Sequence, residues 1–169
     1  MVTSADRSVP VRWIGRQTVS RVFSDELRLP VRVKMSALAD NVPCRDLLVS
    51  PDHALFVDGL LIQAGALVNG TSIVRESNVS MTFKYYHIET DDHLLILAEN
   101  APAETFVDNV NRAGFDNWEE YRALYPEGKT IVEMPHPRAN SYRQVPQVLR
   151  ESLAKRGTSL YGVEVPSAA

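Results

Sequence analysis

A single cysteine, Cys44, is present in the 169 residues. An internal disulfide and a multi-cysteine metal site are thereby excluded, and one free thiol remains. Long apolar runs are lacking as well: none approaches the roughly 20 residues that a membrane-spanning helix needs. The N-terminus carries no charged-then-apolar leader, so a cytoplasmic protein or one secreted without a cleavable signal peptide is expected, and no membrane partner. Lys and Arg nowhere cluster with aromatic residues, and the formal net charge of -3 repels phosphate. Nucleic acid is therefore not an expected partner. No internal repeat or low-complexity segment is visible.

What is there is an ordinary globular composition, 44% apolar and 23% charged, on a chain long enough to bury a core as one domain. Residues Met1 to Ser8 read as a loose lead-in. Val9 to Ile14 and Gln17 to Phe23 read as a strand pair turned at Gly15-Arg16, and Pro30 to Val33 as a further short strand. Met35 to Ala39 resembles one helical turn closed by Asp40-Asn41. Asp58-Gly59, between Phe56-Val57 and Leu60-Leu61-Ile62, is a strong hairpin signal, because a type I′ turn needs positive φ at both central positions. Ala64 to Val68 suits a short helical turn stopped by Asn69-Gly70. Ser72 to Arg75 and Val79 to Ile88 complete a series of short strands, which argues for an all-β body. Beyond Arg112 the spacing turns helical: Asp116 to Leu124 behind an Asp N-cap, and Ser141 to Lys155, starting at Val145 with Pro146 in its first turn. The tail from Gly162 to Ala169 is expected to fray.

The chemistry concentrates in Ser50-Pro51-Asp52-His53, a polar knot between the apolar runs Leu47 to Val49 and Ala54 to Val57. A hydroxyl, a carboxylate and an imidazole gather where a strand is interrupted, and imidazole is the side chain best suited to passing protons near neutral pH. The same residues also suit a plainer role, with Ser50 and Asp52 organising the turn and His53 partly buried. A second polar cluster runs from His87 through Glu89, Asp91 and Asp92 to His93. In an extended strand His87 and Glu89 share a face. Two histidines and a carboxylate suit zinc, but the spacing is not a compact ligand pattern and Asp91-Asp92 reads as a charged hairpin tip, so no metal and no cofactor are expected.

Ser50-Pro51-Asp52-His53 and the strand after it resemble the Thr-x-x-His element of the Hint domains, the self-processing modules of hedgehog proteins and inteins. Pro10 to Arg16, Ala66 to Gly70, and Tyr86 to Glu89 continuing to His93 and Ala98-Glu99 resemble the bacterial branch of that family. The resemblance covers roughly Val9 to Arg112. It implies a mainly β, compact fold of short strands and hairpins over residues 1–112, with residues 113–169 as a C-terminal helical extension packed on the same domain. It implies also a late strand pair that brings His93 beside the knot, making it either a second catalytic-region histidine or an exposed turn residue.

In the family, a Cys or Ser opening the domain attacks the carbonyl of the preceding peptide bond, and the histidine of Thr-x-x-His assists the departing nitrogen. The resemblance assigns that general-acid role to His53, hydrogen-bonding assistance to Ser50, and places among the catalytic candidates Asp52 and His93. The partner it implies is the chain itself or a protein fused upstream. This sequence departs from the pattern at both ends: the nucleophile segment expected before Pro10 is not matched, and Glu104-Thr105-Phe106 stands where intein members carry a His-Asn pair. Cys44 does not substitute, because cleavage before it would cut through the fold, and it reads as a structural or incidental thiol. The expectation is thus a self-processing domain inactive in this form, or alternatively a retired scaffold serving as a structural or protein-binding module that takes up a partner strand. A hydrolase acting through Ser50 and His53 on an outside substrate is a weaker reading, since no oxyanion-forming glycine loop or third triad member is evident.

Overall fold

The computed structural model describes residues 2–4, 7–23, 25–107 and 112–162. The expected fraying tail lies, from residue 163 onward, outside the described residues. The chain is mainly β, as expected. Its strands are β1 (Val2–Ser4), β2 (Arg7–Val9), β3 (Trp13–Ser20), β4 (Val31–Val33), β5 (Leu47–Val49), β6 (Ala54–Val57), β7 (Leu60–Gln63), β8 (Ile73–Arg75), β9 (Thr82–Glu89), β10 (Leu95–Ala98), β11 (Ala101–Glu104) and β12 (Arg138–Ala139). Two helices, α1 (Trp118–Leu124) and α2 (Gln147–Tyr161), follow the main β body. A five-stranded sheet runs β10-β11-β6-β7-β12, a three-stranded one β5-β4-β8, and the pairs β1-β2 and β3-β9 stand beside them.

Strand pairing follows local chemistry where a turn is tight. Asp58 and Gly59 adopt φ of 48° and 81°, and the hairpin they close sets Val57 opposite Leu60 and Ala54 opposite Gln63. A second such turn, Glu99-Asn100, has φ of 50° and 67° and joins β10 to β11 with Ala98 opposite Ala101. It carries no glycine, so the sequence hides it; Asn tolerates the left-handed region through its short polar side chain.

Several expectations are corrected. The lead-in is a hairpin, with Val2 opposite Val9 in the β1–β2 pair. Gly15-Arg16 is no turn, for β3 runs through it and pairs along its whole length with β9, from Trp13 opposite Glu89 to Ser20 opposite Thr82. Glycine is required at 15 for packing: a Cβ there would lie 2.8 Å from the Trp13 ring and 3.0 Å from Phe115. Met35 to Ala39 forms no helix, because Ser36 takes φ 57° and its amide bonds the Pro43 carbonyl at 2.8 Å. Asp91-Asp92 is not the tip of a β9–β10 hairpin, since these strands join different sheets. The chain turns a corner there, and Asp91 is held by Arg12 through two bonds of 2.8 and 2.7 Å.

The helices depart from expectation at their starts. Asp116 does not cap α1; its carboxylate accepts the Thr18 amide and hydroxyl on β3. Asn117, next in line, accepts the Arg16 amide at 2.9 Å and donates to the Ile14 carbonyl at 3.0 Å. The pair thus docks α1 along the backbone of β3 instead of capping it. α2 begins later than expected, after a 3-10 turn over Tyr142–Gln144, because the residue before a proline resists helical backbone and Val145 is extended (φ -71°, ψ 128°). The stretch 113–169 contributes more than helices: β12 lies parallel to β7, with Arg138 opposite Leu61.

Two apolar cores result. The larger gathers Val31, Val33, Leu55, Ile62, Ile73 and Ala103 beneath Leu149 and Leu153 of α2. The smaller is aromatic: Trp13, Phe106, Phe115 and Tyr121, in edge-to-face contacts such as Trp13 on Phe115 at 5.2 Å. α2 crosses the first core so closely that a Cβ on Gly157 would meet Thr71 Oγ1 and Ser72 Oγ at 2.4 and 2.7 Å. Both hydroxyls are held by Asn69, so they cannot yield. Alanine for glycine ordinarily stabilises a helix by up to about 1 kcal/mol. Here Gly157→Ala is expected to do the reverse and cost about 1–3 kcal/mol, read as a lower urea midpoint.

Candidate functional site

The turn from β5 to β6 is built as the sequence suggests. The His53 amide donates to the Ser50 carbonyl at 3.1 Å, the Ala64 amide to the His53 carbonyl at 2.9 Å, and the Gly65 amide to the Pro51 carbonyl at 2.9 Å. A Cβ at Gly65 would press within 3.2 Å of that last oxygen, so the turn fits against the 3-10 segment Ala64–Leu67 with no room to spare. Pro51 is buried, Asp52 exposed, and Ser50 and His53 lie between these extremes.

Three cavities surround the turn. One, of about 220 Å³, runs between β5 and β9 and is lined by Leu47, Val49, Ser50, His53, Tyr85 and Ile88 among others; its lining is mostly apolar. A second, of about 290 Å³, is lined by Asp52, His53, Gln63, His87, Glu104 and Thr105 together with Phe106 and Val107. A third, of about 160 Å³, lies between Ser50-Pro51-Asp52 and Tyr85 and His87. Ser50, Asp52 and His53 are thus brought together on one concavity facing β9. His53 stands between the apolar groove and the polar cavity, with its ring centre 6.4 Å from that of His87.

His93 is placed elsewhere. It is 5% exposed, so the exposed-turn reading is overturned. Its Nδ1 accepts the Met134 amide at 3.0 Å, and its Nε2 lies 3.3 Å from the Glu104 carboxylate. It lines none of the three cavities around the turn and reaches the site through Glu104. The zinc candidates likewise point apart: His87 packs on Phe115 at 5.0 Å, while Glu89, fully buried, meets Lys129 and Arg112 at 3.3 Å each. Among the described residues no three metal-ligating side chains converge. Cys44 also lies apart, its amide bonding the Glu99 carbonyl at 2.7 Å and its thiol donating to the Glu99 carboxylate at 3.6 Å.

Two residues of the site are invisible to sequence reasoning as site residues. His87 was notable only beside Glu89 and His93, yet it faces His53. Glu104 stood where the family resemblance puts a His-Asn pair, and nothing local marks it as a buried carboxylate. Its partner Arg138 is 34 residues on and grips it with bonds of 2.9 and 3.0 Å. Only the pairing of β11 with β6 and of β12 with β7 brings them together.

Burial governs the electrostatics. It lowers the His53 imidazole below its usual range, against opposing pulls from the Glu104 carboxylate and backbone carbonyl, with Arg138 adding to the fall. His87 is pushed down to about 4, by burial first and by His53 second. Glu104 is also affected first by burial, which raises it, but His93 and Arg138 outweigh that and bring it down to about 2. At neutral pH the site therefore holds two uncharged imidazoles beside an ionised, paired carboxylate. Tyr85 is raised to about 12 by burial and by Asp52, so it is a neutral hydroxyl.

These states fix a pH dependence. An unfolded chain protonates its histidines near 6.5, whereas the folded chain resists protonating His87 until about 4. Between these values the unfolded state binds more protons, and stability falls as pH drops through the window. The expected contribution from His87 is on the order of 2 kcal/mol. Urea unfolding at pH 7 and pH 4.5 should show the loss, and His87→Phe should shrink it while His53 retains a share; an unchanged acid limb would contradict the assignment.

A family model described as a Hint domain matches residues 1–110. No curated protein and no solved structure matches the chain. The matched stretch holds β1 to β11, the Ser50 to His53 turn, His87 and Glu104, and it is well over half of the sequence. The chain belongs to the Hint domain family.

Proposed function

We propose that the chain is the proton-handling body of a self-processing domain, acting on a peptide bond presented by an extended segment in the groove between β5 and β9. The observation that supports this best is the placement of His53 at the end of an apolar groove bounded by strands and at the mouth of a polar cavity. β5 is an edge strand of its sheet and β9 has one sheet partner, so each has a side free to bond an added strand. Leu48 and Tyr86, 50% and 60% exposed at the groove, would be covered by it. The segment belongs either to the same polypeptide or to a protein fused upstream, and a separate strand-pairing partner would use the same edges.

The chemistry is an internal acyl shift. A thiol or hydroxyl on the residue after the scissile bond attacks the carbonyl, an S–C or O–C bond forms, and the C–N bond breaks. The proton leaves the attacking group and arrives on the departing nitrogen, so the reaction is an isomerisation and needs no co-reactant. An imidazole that is neutral at pH 7 must accept a proton before it can give one. His53 therefore begins as base and ends as acid, receiving the proton from the attacking group and delivering it to nitrogen. Ser50 borders both the groove and the third cavity, within reach of a carbonyl lying along β5. Asp52 acts on the surroundings, through Tyr85, more than on the bond.

Cys44, engaged by Glu99 and Arg45 away from the cavities, supplies no attack at this site, so these 169 residues alone should not cleave themselves. Intact-mass spectrometry in dithiothreitol provides the check. The chain by itself should keep its mass. A version with an upstream segment whose Cys enters the groove should release that segment over time, and His53→Ala should lower the rate by about 100-fold or more. A His53-dependent mass loss from the chain alone would overturn the proposal, and so would an extended form indifferent to His53. Binding of an extended peptide without cleavage in any form would instead support the scaffold reading.

A further inference from the structure

Glu104 is in contact with His53 and its neighbour in two different ways. Its carboxylate accepts the amide of Ala54, the residue directly after His53, at 3.1 Å. Its backbone carbonyl faces the His53 ring, a contact that favours a proton on the nearer nitrogen. β11 crosses β6 at this point, with Ala103 opposite Leu55, so the geometry is set by the sheet itself. Glu104 also lines both cavities that His53 lines.

The carboxylate is in turn held from two sides. Arg138, on β12, grips it with two nitrogens and is braced by Glu133 at 2.8 Å. His93 approaches at 3.3 Å, and because its Nδ1 accepts the Met134 amide, the ring proton must reside on Nε2, toward Glu104. A carboxylate with a two-pronged cation, an N–H from a locked imidazole and a backbone amide has little freedom to turn.

We propose that Glu104 is the positioning residue of this site, holding the His53 imidazole in one tautomer with its free nitrogen turned to the cavities, and that Arg138 and His93 serve by fixing Glu104. The catalytic meaning of this arrangement rests on the self-processing reading; the arrangement itself does not. Through it, part of the polypeptide beyond the matched family region, β12, bears on the proton-transfer residue.

Histidine ring NMR on the 169-residue chain tests this. The charged and titratable groups facing His53 are Glu104 from β11, Arg138 from β12, His87 from β9 and Asp52 from its own turn. Glu104→Gln removes the favourable charge and leaves Arg138 opposed, so the His53 midpoint should fall further and a second tautomer should appear in the ring nitrogen shifts. Arg138→Gln removes the repelling cation, and the midpoint should rise. Opposite shifts of about half a pH unit or more are expected. A loosened, solvated site would raise the midpoint in both variants toward 6.5, and that result overturns the proposal, as does an unchanged single tautomer in Glu104→Gln. Arg138→Lys keeps the charge and loses the fork. It should hold the midpoint while the second tautomer grows, and a single tautomer there with no rise in Arg138→Gln overturns the proposal even if Glu104→Gln does not fold. None of these readouts requires cleavage. A chain that never processes a fused segment yet shows the opposite shifts keeps the positioning role and loses the self-processing reading.

Discussion

The constraint on which the rest depends is the ionised carboxylate of Glu104 inside the five-stranded sheet. A buried carboxylate is costly unless its charge and lone pairs are met, and removing one partner of such a pair typically costs about 3–5 kcal/mol. Arg138, His93 and the Ala54 amide meet them together. Satisfying that one group fixes where β12 lies against β7, how β11 crosses β6, and hence where the chain emerges at His53. A second fully buried carboxylate, Glu89, does similar work at the end of β9, bound by Arg112 and Lys129, with His87 two residues before it on the same strand.

Between these anchored ends the two imidazoles face each other across a small space, and the aromatic core behind His87 keeps the dielectric low there. Low dielectric disfavours a second positive charge near Arg138, which is why both rings stay neutral. Neutral imidazole next to an open strand groove is a state prepared to receive a proton. It is also a state that a purely structural turn would not need, although packing alone would tolerate it.

The legible parts of the fold were those ruled by neighbours in sequence. Asp58-Gly59 read as a hairpin because its φ values are demanded by the turn itself. Ser50 to His53 read as a fixed interruption because Pro51 and the apolar flanks leave few alternatives. Gly15, by contrast, read as a turn and proved to be space for the Trp13 ring, a requirement set by Phe115, a hundred residues away. Asp116 read as a helix cap and proved to be a clasp on β3, since a carboxylate at a helix start bonds whichever amide reaches it first. Asp91-Asp92 read as a hairpin tip because charge near a turn suits water, whereas Arg12 had claimed it.

By itself, then, the sequence determined the mainly β character, the hairpin, the Ser50–His53 turn and the family, because each rests on local conformational preference or on a motif contiguous in the chain. The tertiary structure alone decided that His87 and not His93 faces His53, that Cys44 stands apart from the cavities, and that Glu104 is gripped by Arg138. These are pairings across tens of residues, and no periodicity or turn rule carries information about which distant side chain will share a buried charge.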